Sequence, residues 1–326
     1  MIKHLCCLAF LWLGFALIAS AAGPTYTDPD KTDVDFPYQG EYVGKVKMND
    51  GDVTVGLQIV ALGKGTFHAI GYHGGLPGDG WDKETKHEAD GELKDGWAVF
   101  TGDDAIAKVK DGVATITSKD GAELGKLDKI QRSSTTLGAK PPAGAVVLFD
   151  GKSADAFNGG KMTEDGLLQQ GCTSKQNFGS CRVHIEFRTP YQPEDRGQGR
   201  GNSGIYVGAR YEYQMLDSFG LKGENNECGG LYSVKAPDVN MCLPPLSWQT
   251  YDIDYTAAKY DGDKLVTNPR VTISHNGVVI HKDVELPGER STTAAPNKPG
   301  PEPGPIYLQD HGNPLRYRNI WVVEKK

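Results

Sequence analysis

The sequence predicts an all-β protein built from antiparallel sheets. Short runs that alternate apolar and polar residues follow one another along the chain, and turn residues separate them. Glycine and proline are abundant, with 42 and 19 residues among 326, which suits a turn-rich β protein. No convincing helical pattern separates one predicted strand from the next, so parallel folds with crossover helices are disfavoured.

Length and charge limit the architecture and the partners. A chain of 326 residues is long enough for two ordinary domains, each with a core of its own. The formal net charge is −7 and the pI is about 5.6. An acidic balance of this size gives no reason to expect nucleic acid or an anionic membrane as a partner.

The N-terminal residues 1–21 have the pattern of a signal peptide. Lys3 and His4 precede an apolar run over 5–18, and a small-residue cleavage site follows at 19–21. We therefore expect export to the periplasm or the medium, with no membrane attachment after cleavage. Cys6 and Cys7 would be lost with this segment.

A first domain is predicted over residues 36–131. Its β runs are 42–46, 53–61, 66–71, 97–101, 105–109 and 113–117. They predict a small antiparallel sheet or barrel, to which we assign no chemistry. A glycine-rich segment at 73–81 lacks the lysine and hydroxyl pair of a phosphate-binding loop and is interpreted as a surface loop with a packed Trp81. Residues 132–145, rich in Ser, Thr, Gly and Pro, are interpreted as a linker.

The second domain is predicted over residues 146–326. Its β runs are 182–188, 203–207, 211–216, 250–256, 271–275 and 278–282, followed by a closing pair within 304–324. Asn276-Gly277 is a strong signal for a two-residue hairpin turn. A sandwich of two antiparallel sheets is the simplest arrangement of these strands.

Four cysteines remain after the signal peptide, and an exported chain favours their pairing. Three connectivities are open for Cys172, Cys181, Cys228 and Cys242. We expect the two local bridges, Cys172–Cys181 and Cys228–Cys242. No pair has the two-residue spacing of a zinc site.

Two strands carry polar side chains on one face, where a ligand would be bound. Glu212 and Gln214 alternate with apolar neighbours on the first, and Tyr307, Gln309 and His311 do so on the second. If both strands belong to one sheet, these faces form one cleft. Carboxylates and amides bind sugar hydroxyls, and aromatic rings cover the apolar face of a sugar.

Other interpretations of the same residues remain open. A divalent cation held by Glu212, Asp217, Asp310 and His311 is one of them, although the spacing of these residues is not diagnostic. A standard glycosidase needs a second carboxylate across the bond, which Glu186 or Asp217 would supply. The polar faces are also compatible with an ordinary solvated sheet surface.

The second domain resembles a known family over about residues 146–324. The motifs that carry the resemblance are LFDGK at 148–152, EFR at 186–188, GNSGIY at 201–206, YEYQMLDS at 211–218, WQTYDI at 248–253 and the closing segment 304–324. They resemble the DUF1080 family of 3-keto-disaccharide hydrolases, in which a lyase and hydratase reaction gives net hydrolysis. The first domain lies outside this resemblance.

The resemblance implies a concanavalin A-like jelly-roll sandwich and a glucoside substrate oxidised to a ketone at C3. That ketone acidifies the C2 hydrogen, so one base suffices to start elimination of the C1 substituent. We expect Glu212 or His311 to be this base, and Arg318 to stabilise the enolate. Expected substrate-binding residues are Asn202, Gln214, Tyr307 and Gln309. A non-catalytic carbohydrate-binding module and a conventional glycoside hydrolase are the alternatives.

Overall fold

The computed structural model describes residues 23–48 and 51–325, and nearly all of its regular structure is β. The predicted signal peptide and its two cysteines lie outside these residues. Two single-turn 3₁₀ helices, Pro29–Lys31 and Gly197–Gly199, are the helices that this part of the chain contains. No helix within it is both long and apolar enough to cross a membrane.

The N-terminal half forms a closed barrel of eight antiparallel strands, which confirms the barrel alternative. The strands are β1 (Gly40–Met48), β2 (Gly51–Gly63), β3 (Thr66–His73), β4 (Lys86–Lys94), β5 (Trp97–Thr101), β6 (Ala105–Lys110), β7 (Val113–Ser118) and β8 (Glu123–Ile130). β4 and β8 were absent from the predicted set. Both are dominated by charged residues, so they lack the apolar alternation that identified the other six.

The C-terminal half is a sandwich of two antiparallel sheets, as expected. Its strands are β9 (Val146–Phe149), β10 (Phe157–Asn158), β11 (Leu168–Gln169), β12 (Cys172–Phe178), β13 (Cys181–Arg188), β14 (Ser203–Val207), β15 (Tyr211–Met215), β16 (Gln249–Thr256), β17 (Lys259–Asp261), β18 (Lys264–Thr267), β19 (Arg270–His275), β20 (Val278–Glu285), β21 (Gly304–Leu308) and β22 (Arg316–Glu324). One sheet has the order β10-β12-β21-β14-β15, and the other β11-β22-β13-β16-β19-β20 with β9 beside β22. β17 and β18 form a separate hairpin.

The two strands of the closing segment do not pair with each other. β21 lies in the five-stranded sheet, whereas β22 lies in the seven-stranded sheet, and residues 309–315 cross between them. The predicted closing pair is therefore wrong. The hairpin between β19 and β20 is confirmed, with Asn276 and Gly277 at φ values of 52° and 84°.

The core lies between the two sheets. Alternate residues of the inner strands meet there, among them Ile185, Phe187, Tyr213 and Ile306, all fully buried. The barrel packs against the same core, because Val60, Ile70, Tyr72 and Leu76 belong to the same cluster of contacts. Burial of these barrel side chains makes the two halves one continuous structure.

The predicted surface loop and the predicted linker are both packed against other elements. In the predicted surface loop 73–81, Leu76 is fully buried, and a side chain at Gly78 would collide with Met241. In the predicted linker, Ser134 and Thr136 bond to Thr250, and the Gly138 amide donates to Glu186. The linker thus lies against the outer face of the seven-stranded sheet.

The predicted disulfides are not formed in this structure. Cys172, Cys181, Cys228 and Cys242 are all free and buried. Cys172 and Cys181 lie on strands of opposite sheets. Burial raises the pKa of both thiols to about 12, which keeps them protonated and unreactive.

Candidate active site

One face of the five-stranded sheet carries both predicted polar strands. β14 lies between β15 and β21, and its residue Tyr206 is the register partner of Glu212 on one side and of Tyr307 on the other. Gly204 is the register partner of Gln214, and the Gly204 carbonyl accepts a hydrogen bond from the backbone nitrogen of Gln309. The two polar strands therefore share one face, opposite the face that meets the core.

Glu212 is the carboxylate of this face. Its side chain leans over Gly204, where an added Cβ would lie 2.4 Å from Oε1. The residue is only 2% exposed. Burial raises the pKa of the Glu212 carboxyl to about 7, and the hydrogen bond with Tyr206 opposes that rise. A carboxyl with such a pKa can both take up and release a proton near neutral pH.

Tyr206, to which the sequence pattern assigned no role, connects the two sides of the face. Gln309 Nε2 donates to its hydroxyl oxygen at 3.1 Å. Burial, together with the charge of Glu212, strongly raises the pKa of the Tyr206 phenol, so the phenol stays protonated and can donate. Its alternation with Ile205 and Val207 along β14 was the signal available in the sequence.

The amides complete the polar face. The side-chain amide of Gln214 is oriented with its nitrogen toward Glu212 and Ser203. It donates to Glu212 Oε1 at 3.0 Å and to the Ser203 carbonyl at 2.7 Å. Asn202 Nδ2 donates to the backbone carbonyl of Gln198 at 2.8 Å, and the side-chain amide of Gln198 lies 3.0 Å from that of Gln214. The structure thus brings Asn202 and Gln214 together, and it adds Gln198 from the segment between β13 and β14.

The face becomes accessible on the β21 side. Tyr206, Glu212 and Gln214 are almost fully buried, whereas Tyr307 and Gln309 are partly exposed. Among the described residues, the buried Gln309 Oε1 has no hydrogen-bond partner. An orphaned buried acceptor is costly, and a ligand hydroxyl would satisfy it.

His311 does not occupy the position that strand alternation predicted. β21 ends at Leu308, and His311 lies in an exposed segment where the Gly312 amide donates to Asp310 Oδ1 at 2.9 Å. No hydrogen bond or ion pair joins His311 and Glu212 in the described part of the chain. The predicted alternation failed here because it assumed a strand three residues longer than the one that forms.

Arg318 lies on the other sheet, so its predicted place beside Glu212 is wrong. Its Nε donates to Glu186 Oε2 at 2.7 Å, and its guanidinium lies 4.0 Å from the centre of the Trp248 ring. Both contacts are on the outer face of the seven-stranded sheet. The Arg318 charge is thus compensated by a buried carboxylate outside the candidate site.

The other carboxylates considered for the site, Asp217 and Glu186, are held in ion pairs with arginines. Asp217 Oδ2 accepts from Arg200 Nε at 2.6 Å, and the same guanidinium donates to the Ala61 carbonyl of the barrel at 3.2 Å. Hydrogen bonds lower the pKa of Glu186 to about 2 although burial acts to raise it, which fixes that group as a charged structural partner.

Residues 23–48 and 51–325 contain no group of three or more His, Cys, Asp or Glu side chains arranged to hold a metal ion. Of the four residues considered for a cation, Asp217 is paired with Arg200 and His311 is exposed. The described side chains therefore do not fit the divalent cation that the sequence left open.

Comparison with known proteins gives two kinds of match. Residues 144–323, more than half of the chain, match a family model described as a 3-keto-alpha-glucoside-1,2-lyase-like domain. A solved structure from Parabacteroides distasonis ATCC 8503, described as a "putative glycosyl hydrolase", is 34% identical and has a TM-score of 0.51. The alignment covers 56% of this chain and 85% of that one.

A second structure from the same organism carries the same description. It is 19% identical, with a TM-score of 0.42, and the alignment covers 56% of this chain and 94% of that one. No curated protein matches the chain. The first structure supports the sandwich fold, and the candidate site lies within the residues that the family model covers.

Proposed function

Because the chain belongs to the 3-keto-alpha-glucoside-1,2-lyase-like family, we propose that it cleaves 3-keto-glycosides and that Glu212 is the base. The observation that carries this proposal is a single buried carboxyl with a pKa of about 7 on a face lined by amides and phenols. A base of this strength is suited to the acidified C2 hydrogen of a 3-keto sugar.

The reaction needs one base and one donor. Glu212 removes the C2 proton, and the electron pair of that bond moves toward the C3 carbonyl to form an enolate. Collapse of the enolate expels the C1 substituent, which leaves as an alcohol after protonation. Water then adds at C1 and a proton returns to C2, so the net result is hydrolysis.

Tyr206 is the group proposed to stabilise the enolate. Its phenol remains protonated because burial strongly raises its pKa, and its oxygen already accepts from Gln309. Its own hydrogen is directed away from Gln309 and toward the Glu212 carboxylate. Once Glu212 has taken up the C2 proton, that hydrogen would turn to the developing oxyanion. Gln309 and Tyr307 would bind the remaining hydroxyls. Gln214, whose amide already donates to Glu212 and Ser203, would orient the Glu212 carboxylate, and Asn202 would hold Gln198 and Gln214 in place.

His311 has a more peripheral place in this proposal. It follows Gln309 by two residues on the accessible side of the face and is exposed. It would protonate the leaving group or the solvent-derived oxygen rather than abstract the C2 proton. Removing the His311 imidazole should then lower turnover less than removing the Glu212 carboxylate.

A conventional glycoside hydrolase is less well supported. Such enzymes place a second carboxyl group across the scissile bond from the first. Glu186 is paired with Arg318 on the other sheet, and Asp217 is paired with Arg200. Neither is free to act as the partner of Glu212.

The experiment is a turnover assay on a 3-keto-disaccharide and its unoxidised parent, with wild type and Glu212→Gln. The proposal predicts cleavage of the oxidised sugar alone, through an intermediate with a C1–C2 double bond, and loss of cleavage in the variant. Cleavage of both sugars would indicate a conventional hydrolase. Binding without cleavage of either would indicate a carbohydrate-binding module.

A further inference from the structure

Arg188 and Arg316 form a pair of arginines on the seven-stranded sheet, whereas Glu212 lies on the five-stranded sheet. Arg188 ends β13 and Arg316 begins β22, and the two are direct register partners. Their side chains project from the outer face of this sheet, because Phe187 and Tyr317 beside them are in the core. Glu212 belongs to the other sheet, so the arginine pair is separate from the candidate active site.

The positive charge of this pair is not compensated by an ion pair. Like charges directly opposite each other on neighbouring strands are destabilising. Arg318, on the same face, has Glu186 at 2.7 Å. Within the described residues, neither Arg188 nor Arg316 has a carboxylate oxygen within salt-bridge distance, and the exposed Asp165 influences both only at longer range.

Neutral groups hold both guanidiniums in position. Arg188 Nη2 donates to the Thr27 carbonyl at 3.0 Å, and its guanidinium lies 5.1 Å from the centre of the Trp248 ring. Arg316 Nη1 donates to the Leu315 carbonyl at 2.8 Å. These contacts use one nitrogen of each guanidinium, so the others are left to bind a ligand.

The surroundings strengthen the electrostatic attraction of the arginine pair for an anion. Both arginines are half-buried, and burial together with the neighbouring arginines lowers the pKa of Arg188. An oxyanion between the two guanidiniums would relieve their repulsion and make charge-assisted hydrogen bonds. Planar, positioned guanidiniums are well suited to carboxylate, sulfate and phosphate groups.

We propose that Arg188 and Arg316, braced by Trp248 and Thr27, form a second binding site for an oxyanion group on the outer face of the seven-stranded sheet. The group has the chemistry of a carboxylate or sulfate and can come from an acidic saccharide or from a free inorganic ion. This site does not depend on the activity proposed for Glu212.

The test is a calorimetric titration of the full chain with glucuronate, sodium sulfate and glucose at constant ionic strength. Wild type should bind at least one of the two anions and should not bind glucose at this site. The double variant Arg188→Gln/Arg316→Gln should bind that anion at least about tenfold more weakly, the effect expected from losing charge-assisted hydrogen bonds. Tighter binding of glucuronate than of sulfate identifies an acidic saccharide, and equal or weaker binding identifies an inorganic anion.

Arg182→Gln is the matched control, because Arg182 lies on the same face of β13 but is exposed and paired with Asp254. It should bind the anion as wild type does. Turnover and thermal unfolding of each variant verify that it is folded. Absence of anion binding in wild type, or equal binding by wild type and the double variant, would overturn the site.

Discussion

Replacing Glu212 with glutamine should stabilise the protein at alkaline pH while removing its activity. The substitution keeps the size of the side chain but removes its ability to ionise. In the folded protein the pKa of the Glu212 carboxyl is about 7 instead of its ordinary 4.5. The folded state therefore holds this proton more tightly than the unfolded chain, and ionising the group costs folding free energy.

The size of this cost depends on pH in a defined way. Below pH 4.5 the group is protonated in both states and there is no cost. The cost grows between pH 4.5 and about 7 and is constant above that. At 1.36 kcal/mol for each pKa unit, it amounts to about 1 kcal/mol at pH 5 and about 3 kcal/mol at pH 8. Glutamine avoids the cost at both values.

Denaturant unfolding of wild type and Glu212→Gln at pH 5 and pH 8 measures the difference. Hydrogen-bond changes common to both pH values cancel in this comparison. We expect the free energy of unfolding of Glu212→Gln to exceed that of wild type by about 2 kcal/mol more at pH 8 than at pH 5. Glu123→Gln, at an exposed site in the barrel, should show no such growth. An equal difference in free energy of unfolding at pH 5 and pH 8 would refute the conclusion that burial raises the pKa of Glu212.

The catalytic part of the same prediction is independent. With a pKa of about 7, the ionised fraction of Glu212 rises from about one tenth at pH 6 to about nine tenths at pH 8. The kcat/KM of wild type should rise accordingly, and Glu212→Gln should lose about 10²–10⁴-fold. If Glu212→Gln shows the expected stability pattern but keeps full turnover, burial does raise the pKa of Glu212, but Glu212 is not the catalytic base.

Three further substitutions test neighbouring parts of the account. Tyr206→Phe should lower kcat by about 10²-fold with little change in KM, because it removes an enolate donor; an unchanged kcat in steady-state assays would exclude that role. Gly204→Ala should lower kcat/KM at least about tenfold, since its Cβ would displace the Glu212 carboxylate; wild-type kinetics would show that Glu212 is free to move. Arg318→Met should destabilise the fold by about 2 kcal/mol by unpairing Glu186, with KM unchanged in the fraction that is folded; a raised KM would return Arg318 to the substrate site.

Strand alternation predicted which side chains of the two polar strands share a face, with the exception of His311. Apolar neighbours identified the outward faces of Glu212 with Gln214 and of Tyr307 with Gln309, because side chains alternate along a strand. Alternation carries no information about which strands are neighbours. The position of β14 between them, and hence the role of Tyr206, depends on pairing between residues about a hundred positions apart.

Where sequence reasoning failed, long-range contacts decided the structure. Arg318 was grouped with His311 because they are close in sequence, yet the chain changes sheets between them. Asn319 next to it has a φ of 45° and interrupts the alternation of β22. The linker and the loop at 73–81 have polar, glycine-rich sequences typical of surface segments, and their packing depends on partners elsewhere in the chain.

The most direct measurement of the central claim is the fate of the C2 hydrogen during cleavage of a 3-keto-glucoside in heavy water. If Glu212 abstracts that hydrogen, nuclear magnetic resonance will show solvent deuterium at C2 of the released sugar. Its incorporation will be faster with wild type than with Glu212→Gln or without protein. Release of a sugar that keeps its original C2 hydrogen at the rate of cleavage would contradict the mechanism.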